Sequence, residues 1–184
     1  MFSKVVADKL SLQLLMQSDA EELFNLIDQN RSYLQQWMVW PPATKSADDT
    51  NKFIKACLIG LAENTEMACG IKYHGQLIGV ITYNVIDTQL KKVIIGYWIS
   101  AEYQGRGIVT KSCRCLIDYA FTTLAMQKIE IRTASENLAS QKICERLGFK
   151  LEGSIRNSEN LHGNIVSHHI YGLMVNEYHK KQPL

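Results

Sequence analysis

Two glycines flank an arginine where an apolar segment gives way to a helical pattern, in the stretch EYQGRGIVTK at residues 102–111. A turn that leads from a strand into a helix leaves main-chain N–H groups unpaired, and the helix dipole favours negative charge there. Gly105 and Gly107 permit positive φ and let a ligand approach without meeting a Cβ atom. Arg106 and Lys111 add positive charge. The stretch therefore predicts a phosphate-binding site, with a plain tight connection as the alternative.

The Walker loop is one phosphate-binding motif with a similar pattern. After Gly105 the sequence reaches Thr110-Lys111-Ser112, where the Walker motif requires a glycine before its Lys-Ser pair. The later segment KIEIRT ends with Arg132 and Thr133, and so offers no aspartate that could hold Mg²⁺. Both departures disfavour a nucleoside triphosphate as the ligand.

The elements that must position this turn follow from the apolar spacing. KLSLQLL alternates as a first strand, and helical patterns begin at Ser18 (with an S-x-x-E capping box), at Arg31 and near Ser46. Two strands joined by His74-Gly75 precede KVIIGYWIS, which is apolar on both faces and therefore central. A helix, the strand KIEIRT, a short helix ended by Gly148 and the strands KLEGSI and IVSHHIYGLMV complete the chain. The order β-α-α-α-β-β-β-α-β-α-β-β predicts an α/β fold, with a mixed sheet covered by helices on both sides.

Length and charge limit the class of protein. A chain of 184 residues fits one domain, 1–184, and its 46% hydrophobic and 21% charged residues are typical of globular proteins. A net charge of +2 disfavours a nucleic-acid binder that relies on broad electrostatics. We find neither a signal-peptide pattern nor an apolar run of about 18 residues that could span a membrane. A cytoplasmic protein is expected.

The potential metal ligands lack the spacing of a metal site. The cysteines are odd in number and form no C-x-x-C pair, which favours reduced, buried thiols at Cys57, Cys69, Cys113, Cys115 and Cys144. His168 and His169 are neighbours and would point to opposite faces of a strand. We therefore expect no metal.

The glycine turn and its surroundings resemble a known family. QGRGIV at residues 104–109 is similar to the Q/R-x-x-G-x-G/A acyl-CoA loop of the Gcn5-related N-acetyltransferases (GNAT). IIGYWISAEYQGRG, ENLASQKICERLGFKLEGSIR and the early LQQWMVWPP resemble its ribosomal-protein N-acetyltransferase branch, the RimJ/RimL type. The similarity extends over residues 9–178. It implies a splayed, mostly antiparallel sheet and transfer of acetyl from acetyl-CoA, as co-substrate and without a metal, to the N-terminal α-amine of a ribosomal protein. A small-molecule amine as acceptor, or a CoA-binding module without turnover, is the alternative.

The resemblance also implies how acetyl-CoA binds. The main chain of Tyr97, Trp98 and Ile99 would hydrogen-bond the pantetheine arm like an added strand. The pyrophosphate would lie against the loop formed by Gln104, Gly105, Arg106, Gly107, Ile108, Val109 and Thr110. Asn137 would contact the pantetheine, although a plain helix cap is equally consistent with the sequence. Val109 stands where the loop signature has glycine or alanine, which predicts crowding on the ligand side.

The implied reaction is direct attack of an amine on the thioester. An α-amine has a pKa near 8 and must lose a proton before it attacks. The central strand KVIIGYWIS has no glutamate for this purpose. The candidate bases are Glu152, His168, His169 or a water held by main-chain carbonyls, with a surface charge and sheet packing as the alternative roles.

The departing thiolate needs a hydrogen-bond donor. Ser140 matches the serine of the RimJ/RimL branch, one helical turn before Cys144. The wider superfamily often has a tyrosine at that later position, so Cys144 is the second candidate.

Trp37 and Trp40, beside two prolines, are predicted to line the acceptor site together with His168 and His169, and an apolar lid or a dimer contact is the alternative. A homo-oligomer is expected.

Overall fold

The computed structural model describes residues 3–179. The strands in this range are β1 (Ser3–Ala7), β2 (Leu10–Leu14), β3 (Met67–Tyr73), β4 (Gln76–Asp87), β5 (Lys92–Ile99), β6 (Lys128–Ala134), β7 (Lys150–Leu161) and β8 (Asn164–Met174). The α-helices are α1 (Ala20–Gln29), α2 (Arg31–Leu34), α3 (Ala47–Ala62), α4 (Ile108–Thr122), α5 (Leu138–Leu147) and α6 (Val175–His179).

The strands form one sheet in the order β1-β2-β3-β4-β5-β6-β8-β7. Within residues 3–179 the neighbouring pairs are antiparallel except β5 and β6, which run parallel because α4 carries the chain back across the sheet. β5 pairs with β6 only over 92–95 and 128–131. Beyond these residues β5 remains paired with β4 and β6 remains paired with β8, so β5 and β6 separate. The predicted mixed, mostly antiparallel and splayed sheet is confirmed.

Helices cover both faces of this sheet, as the apolar patterns predicted. On one face, α4 buries residues such as Leu116 and Ile117 against Ile129 of β6. On the other face, α1 and α3 pack a second cluster of buried side chains against β3 and β4, with Leu23 and Ile54 at its centre. The apolar stripe of each helix therefore faces the sheet, and the burial of these stripes holds the layers together.

Three elements differ from the sequence-based prediction. The first predicted strand is a hairpin, in which Lys9 adopts a φ of 60° and β1 pairs with β2. The N-terminus of α1 is capped differently from the predicted box, since the Asp19 carboxylate accepts the main-chain N–H of Met16 at 2.8 Å. The strand predicted to end at Ile155 continues to Leu161. That extension is exposed along most of its length, so it lacks the apolar alternation that marks a half-buried strand.

Candidate active site

The splay of the central strands opens a cavity of about 560 Å³. Residues 95–98 of β5 line one side, and residues 131–134 of β6 line the other. Its volume is within the range of small-molecule sites. A strand that has left its partner presents unpaired N–H and C=O groups toward the gap, so an extended ligand arm can bind there as an added strand.

The glycine turn lies at the end of β5, where the chain enters α4. Gly105 and Gly107 both have a φ of 71°, which favours glycine, and Gly107 directly precedes the helix. A Cβ atom at either glycine would meet no protein atom within 4 Å. The space in front of the turn is therefore open, and the first N–H groups of α4, which have no partner inside the helix, can bind phosphate oxygens there.

The side chains around the turn are engaged with the protein. The guanidinium carbon of Arg106 lies 5.1 Å from the ring centroid of Tyr103, and the Gln104 amide donates to the Tyr33 hydroxyl. The Thr110 hydroxyl accepts a hydrogen bond from Arg146 of α5 at 3.0 Å. What the turn offers a ligand is therefore mainly its main chain.

Val109 was expected to crowd the ligand side of the turn, and its side chain packs into the core. Ile108 and Val109 are both buried and belong to the core beneath α4. A side chain that packs into the core at the first helical turn leaves its main-chain N–H free for a ligand. The departure from the loop signature at Val109 therefore need not displace the pyrophosphate.

Asn137 and Ser140 lie at the start of α5 and line the cavity. Asn137 Oδ1 accepts the main-chain N–H of Ser140 at 3.1 Å, which caps the helix and holds its first turn against the cavity. The Ser140 hydroxyl lies 2.7 Å from the Tyr97 hydroxyl. The structure thus brings these two predicted residues together with a strand residue that was predicted to act through its main chain.

The second candidate donor, Cys144, lies behind this cluster. Its side chain is fully buried and does not line the cavity. Burial raises the pKa of the Cys144 thiol to about 12 from its usual value near 9. Burial, with Cys113 and Cys144 nearby, also raises the pKa of Tyr97 well above its usual value. Both groups therefore stay protonated at neutral pH.

A carboxylate and an imidazole line the cavity from the β7–β8 hairpin. Nε2 of His168 lies 3.3 Å from Oε2 of Glu159, and both side chains are partly exposed. His169 points to the other face of β8, where its Nδ1 lies 2.7 Å from the Ser154 hydroxyl. Glu152 is also outside the cavity, since its carboxylate accepts from Lys128 at 2.5 Å. Of these candidates, the structure brings only His168 to the cavity.

Glu159 was missed by the sequence analysis. The dipeptide His162-Gly163 could have revealed the hairpin, because it repeats the His74-Gly75 pattern that was used as a turn signal earlier in the chain. His162 and Gly163 both have positive φ, at 54° and 96°. A turn at that place extends both strands and brings Glu159 opposite the strand that carries His168.

Residues 37–40, which include two tryptophans, line one side of the cavity. Trp37 and Trp40 line it, and the Trp40 ring lies 6.0 Å from that of Trp98. His162 at the tip of the β7–β8 hairpin is hydrogen-bonded through Nε2 to the main-chain oxygen of Met38 at 3.1 Å. The segment is thereby held between α2, which directly precedes it, and the hairpin.

Two polar groups at the cavity are available to a ligand. The Thr133 side chain is only 4% exposed, and its hydroxyl has no hydrogen-bond partner within residues 3–179. Buried hydroxyls are nearly always paired, so a ligand group can complete this one. The Arg132 side chain is 46% exposed and donates from Nε to Glu130 at 2.7 Å. Arg132 lines the cavity together with two carboxylates, those of Glu159 and Asp49.

Comparison with known proteins decides the family. The family model described as the acetyltransferase (GNAT) domain matches residues 9–150. YdaF of Bacillus subtilis (strain 168), a candidate ribosomal N-acetyltransferase by its name, is 35% identical over 181 residues, which cover 97% of this chain and 98% of YdaF. The chain belongs to the GNAT acetyltransferase family. The resemblance found in the glycine loop is thereby confirmed.

Solved structures agree with this assignment of a GNAT acetyltransferase. RimL, a ribosomal L7/L12 α-N-protein acetyltransferase in complex with coenzyme A, has a TM-score of 0.92 at 25% identity and covers 96% of this chain and 99% of its own. The microcin C7 self-immunity acetyltransferase MccE, in complex with acetyl-CoA and AMP, has a TM-score of 0.88 at 32% identity. The match covers 92% of this chain and 94% of the MccE chain. The predicted fold and the predicted N-acetyltransferase activity are confirmed.

Among residues 3–179 no cluster of three or more His, Cys, Asp or Glu side chains could hold a metal ion. In the same range no helix is both long and apolar enough to cross a lipid bilayer.

Proposed function

We propose that this GNAT enzyme transfers the acetyl group of acetyl-CoA to the N-terminal α-amine of a ribosomal protein. One observation carries the proposal. The Glu159–His168 pair and the Ser140 hydroxyl line the same cavity, at the gap between β5 and β6. The names of YdaF and RimL support a ribosomal protein as the acceptor.

The donor is proposed to lie along the splayed strands. The main chain of Tyr97, Trp98 and Ile99 would pair with the pantetheine arm, and the turn at Gly105 and Gly107 would bind the pyrophosphate. The unpaired Thr133 hydroxyl on the opposite strand is available to a polar atom of the same arm. The thioester would then lie near Ser140 in the cavity.

The acceptor amine would bind beside Glu159. At pH 7 most of an α-amine is protonated, so a base must take its proton, directly or through one water. We assign this role to the Glu159 carboxylate, with His168 at 3.3 Å holding its orientation. As the N–C bond forms, the C–S bond breaks and its electron pair leaves on sulfur, where the Ser140 hydroxyl donates a hydrogen bond.

A second candidate acceptor is an amine attached to a nucleotide. The aromatic surface formed by Trp37, Trp40 and Phe53 lines the cavity and can stack on a planar base. The complex of MccE with AMP supports this alternative.

An acceptor screen tests the proposal. Thiol release from acetyl-CoA is measured with peptides that copy the N-termini of ribosomal proteins, with spermidine, and with an aminoacyl adenylate analogue. We expect turnover with one of the peptides and, by mass spectrometry, acetylation of its α-amine. A matched peptide with a blocked N-terminus and a free lysine is the control. Turnover with spermidine or the adenylate alone would contradict the proposed acceptor.

We further propose that the protein is cytoplasmic and forms a homo-oligomer. The five cysteines are free and buried, which fits a reducing compartment. The edge strand β7 exposes Leu151 and Ile155, which a second copy could cover. Light scattering after size exclusion measures the oligomeric state, and a monomer at micromolar concentration would contradict this part.

A further inference from the structure

The hydroxyl groups of Tyr97 and Ser140 lie 2.7 Å apart, although the two residues are 43 positions apart in the chain. Tyr97 comes from β5, at the point where this strand has left β6, and Ser140 comes from the first turn of α5. Both residues line the cavity. The pair therefore joins the two elements that form the donor side of the proposed active site.

Either hydroxyl can donate in this hydrogen bond, and the surroundings of the phenol favour Tyr97 as the donor. Burial, with the thiols of Cys113 and Cys144 nearby, raises the pKa of Tyr97 well above its usual value, so the phenol keeps its proton. A partly buried phenol O–H needs an acceptor, and thiol sulfur is a weak one. The Ser140 oxygen is the strong acceptor within reach. When Tyr97 donates to Ser140, the proton of Ser140 must point elsewhere.

The first turn of α5 restricts where that proton can point. Serine in a helix can donate back to a main-chain carbonyl of the preceding turn, which would withdraw its hydroxyl from a ligand. Ser140 is held in place by its main-chain N–H, which binds Asn137. If one lone pair of Ser140 accepts the hydrogen bond from Tyr97, the Ser140 proton is left to donate to a group in the cavity that Ser140 lines.

We propose that Tyr97 is a positioning residue, whose hydroxyl donates to Ser140 and turns the Ser140 proton toward the sulfur of the departing thiolate. The inference rests on the proposed function, in which Ser140 is the donor to that sulfur. It assigns the side chain of Tyr97 a part in acetyl transfer that is separate from main-chain binding of the pantetheine.

The pair acts by hydrogen bonding and transfers no proton. A thiol has a pKa of about 8.5, far below that of a buried phenol or a serine hydroxyl, so both oxygens keep their protons when the thiolate forms. The electron pair of the broken C–S bond stays on sulfur, and the proton lost by the amine leaves through the base. Hydrogen bonds in a chain strengthen one another, so the first donor makes the second a better one.

The test uses coenzyme A itself and does not depend on the acceptor. The ultraviolet absorbance of the thiolate is followed as a function of pH for coenzyme A bound to excess protein. Hydrogen bonds to a charged group lower its pKa, so the thiol bound to the wild type should ionise at lower pH than free coenzyme A. Tyr97→Phe and Ser140→Ala should each raise the pKa of the bound thiol. The pKa of the bound thiol in the double variant should equal that in Ser140→Ala, because Tyr97 acts through Ser140.

Two matched variants serve as controls. Tyr83→Phe also removes a buried phenol hydroxyl, one that donates to the main-chain oxygen of Leu116 away from the cavity, and should leave the titration unchanged. Ser140→Thr keeps a hydroxyl and should retain most of the effect. The other titratable groups that line the cavity are the same in every variant and affect all titrations alike, namely Asp49, Arg132, Glu159 and His168.

Steady-state kinetics provide the second readout. Tyr97→Phe should lower kcat about three- to thirtyfold with little change in KM for acetyl-CoA, since the hydrogen bond gains strength only as charge forms on sulfur. An unchanged pKa of the bound thiol in Tyr97→Phe would overturn the inference. The inference would also be overturned if Tyr97→Phe lowered kcat by the same factor in the wild type and in Ser140→Ala. A purely structural role predicts that the effects of the two substitutions add in this way. Failure of the wild type to bind coenzyme A would instead overturn the proposed function.

Discussion

The carboxylate of Glu159 and the imidazole of His168 meet across the β7–β8 hairpin, with Oε2 and Nε2 3.3 Å apart. The register explains the contact. Ile155 pairs with His168, but Glu159 pairs with Val166, so β7 uses four residues where β8 uses two. This irregularity places Glu159 on the same face as His168, since Val166 and His168 are alternate residues of one strand.

Replacement of Glu159 by glutamine tests the proposed base. Glu159→Gln keeps the shape of the side chain but removes the negative charge and proton affinity. We expect kcat to fall by about 10²- to 10⁴-fold at neutral pH, the range for loss of a general base, with unchanged affinity for acetyl-CoA. The deficit should shrink above about pH 8, where the α-amine is already neutral.

The control for this variant is Glu63→Gln, which changes an exposed glutamate at the C-terminus of α3. It should have wild-type kinetics. Full activity of Glu159→Gln at neutral pH would remove Glu159 from the mechanism and leave His168 or an ordered water as the remaining candidate base.

Gly107→Glu tests the glycine turn. The new side chain would bring bulk and negative charge to the open space where the phosphates are proposed to bind. We expect loss of measurable acetyl-CoA binding by calorimetry, while circular dichroism shows a folded protein. Gly75→Glu is the matched control, because Gly75 also has positive φ, at 82°, and open space in front of it, but lies in the β3–β4 hairpin. Equal affinity in both variants would show that the turn does not face the donor.

Thr133→Val tests the unpaired hydroxyl. Valine has nearly the shape of threonine, so the change removes an unsatisfied buried oxygen without opening a cavity. The ligand-free variant should be as stable as the wild type or about 1 kcal/mol more stable. Acetyl-CoA should raise its melting temperature less than that of the wild type.

Ser112→Ala is the comparison for this variant. Its hydroxyl is also buried and unpaired within residues 3–179 but does not line the cavity. Stabilisation by acetyl-CoA should be the same as in the wild type. If Thr133→Val were stabilised by acetyl-CoA to the same extent as the wild type, the Thr133 hydroxyl would have no part in donor binding.

The buried thiols predict a loss of stability at high pH. Burial raises the pKa of Cys57 to about 11 and that of Cys69 and Cys144 to about 12, from a usual value near 9. Above pH 9 the unfolded chain therefore loses protons that the folded chain keeps, so the free energy of unfolding falls as the pH rises from 9 toward 12. Urea unfolding at about pH 8 and about pH 10.5 measures the change. Cys144→Ala should show a smaller fall, and an equal fall would exclude Cys144 as a contributor.

The glycine turn could be predicted from the sequence because its signals are local. Gly105 and Gly107 mark a turn with positive φ, and the apolar spacing that follows marks α4. Each of these features depends on a few consecutive residues, so no knowledge of the rest of the chain is needed. The mixed sheet could be predicted for the same reason, from the alternating pattern and the apolar runs of the segments that form β2 to β6.

The chemistry of the cavity was decided by the tertiary structure. Glu152 and Glu159 are both glutamates of β7, and only the hairpin register decides that Glu159 lines the cavity while Glu152 pairs with Lys128. The contact between Tyr97 and Ser140 likewise depends on where α5 packs against the splayed end of β5. The sequence by itself determined most of the elements and the glycine turn, because short-range spacing encodes them. Only the tertiary structure decided which side chains meet, because contacts between distant segments depend on strand register and helix packing, which no short window of sequence contains.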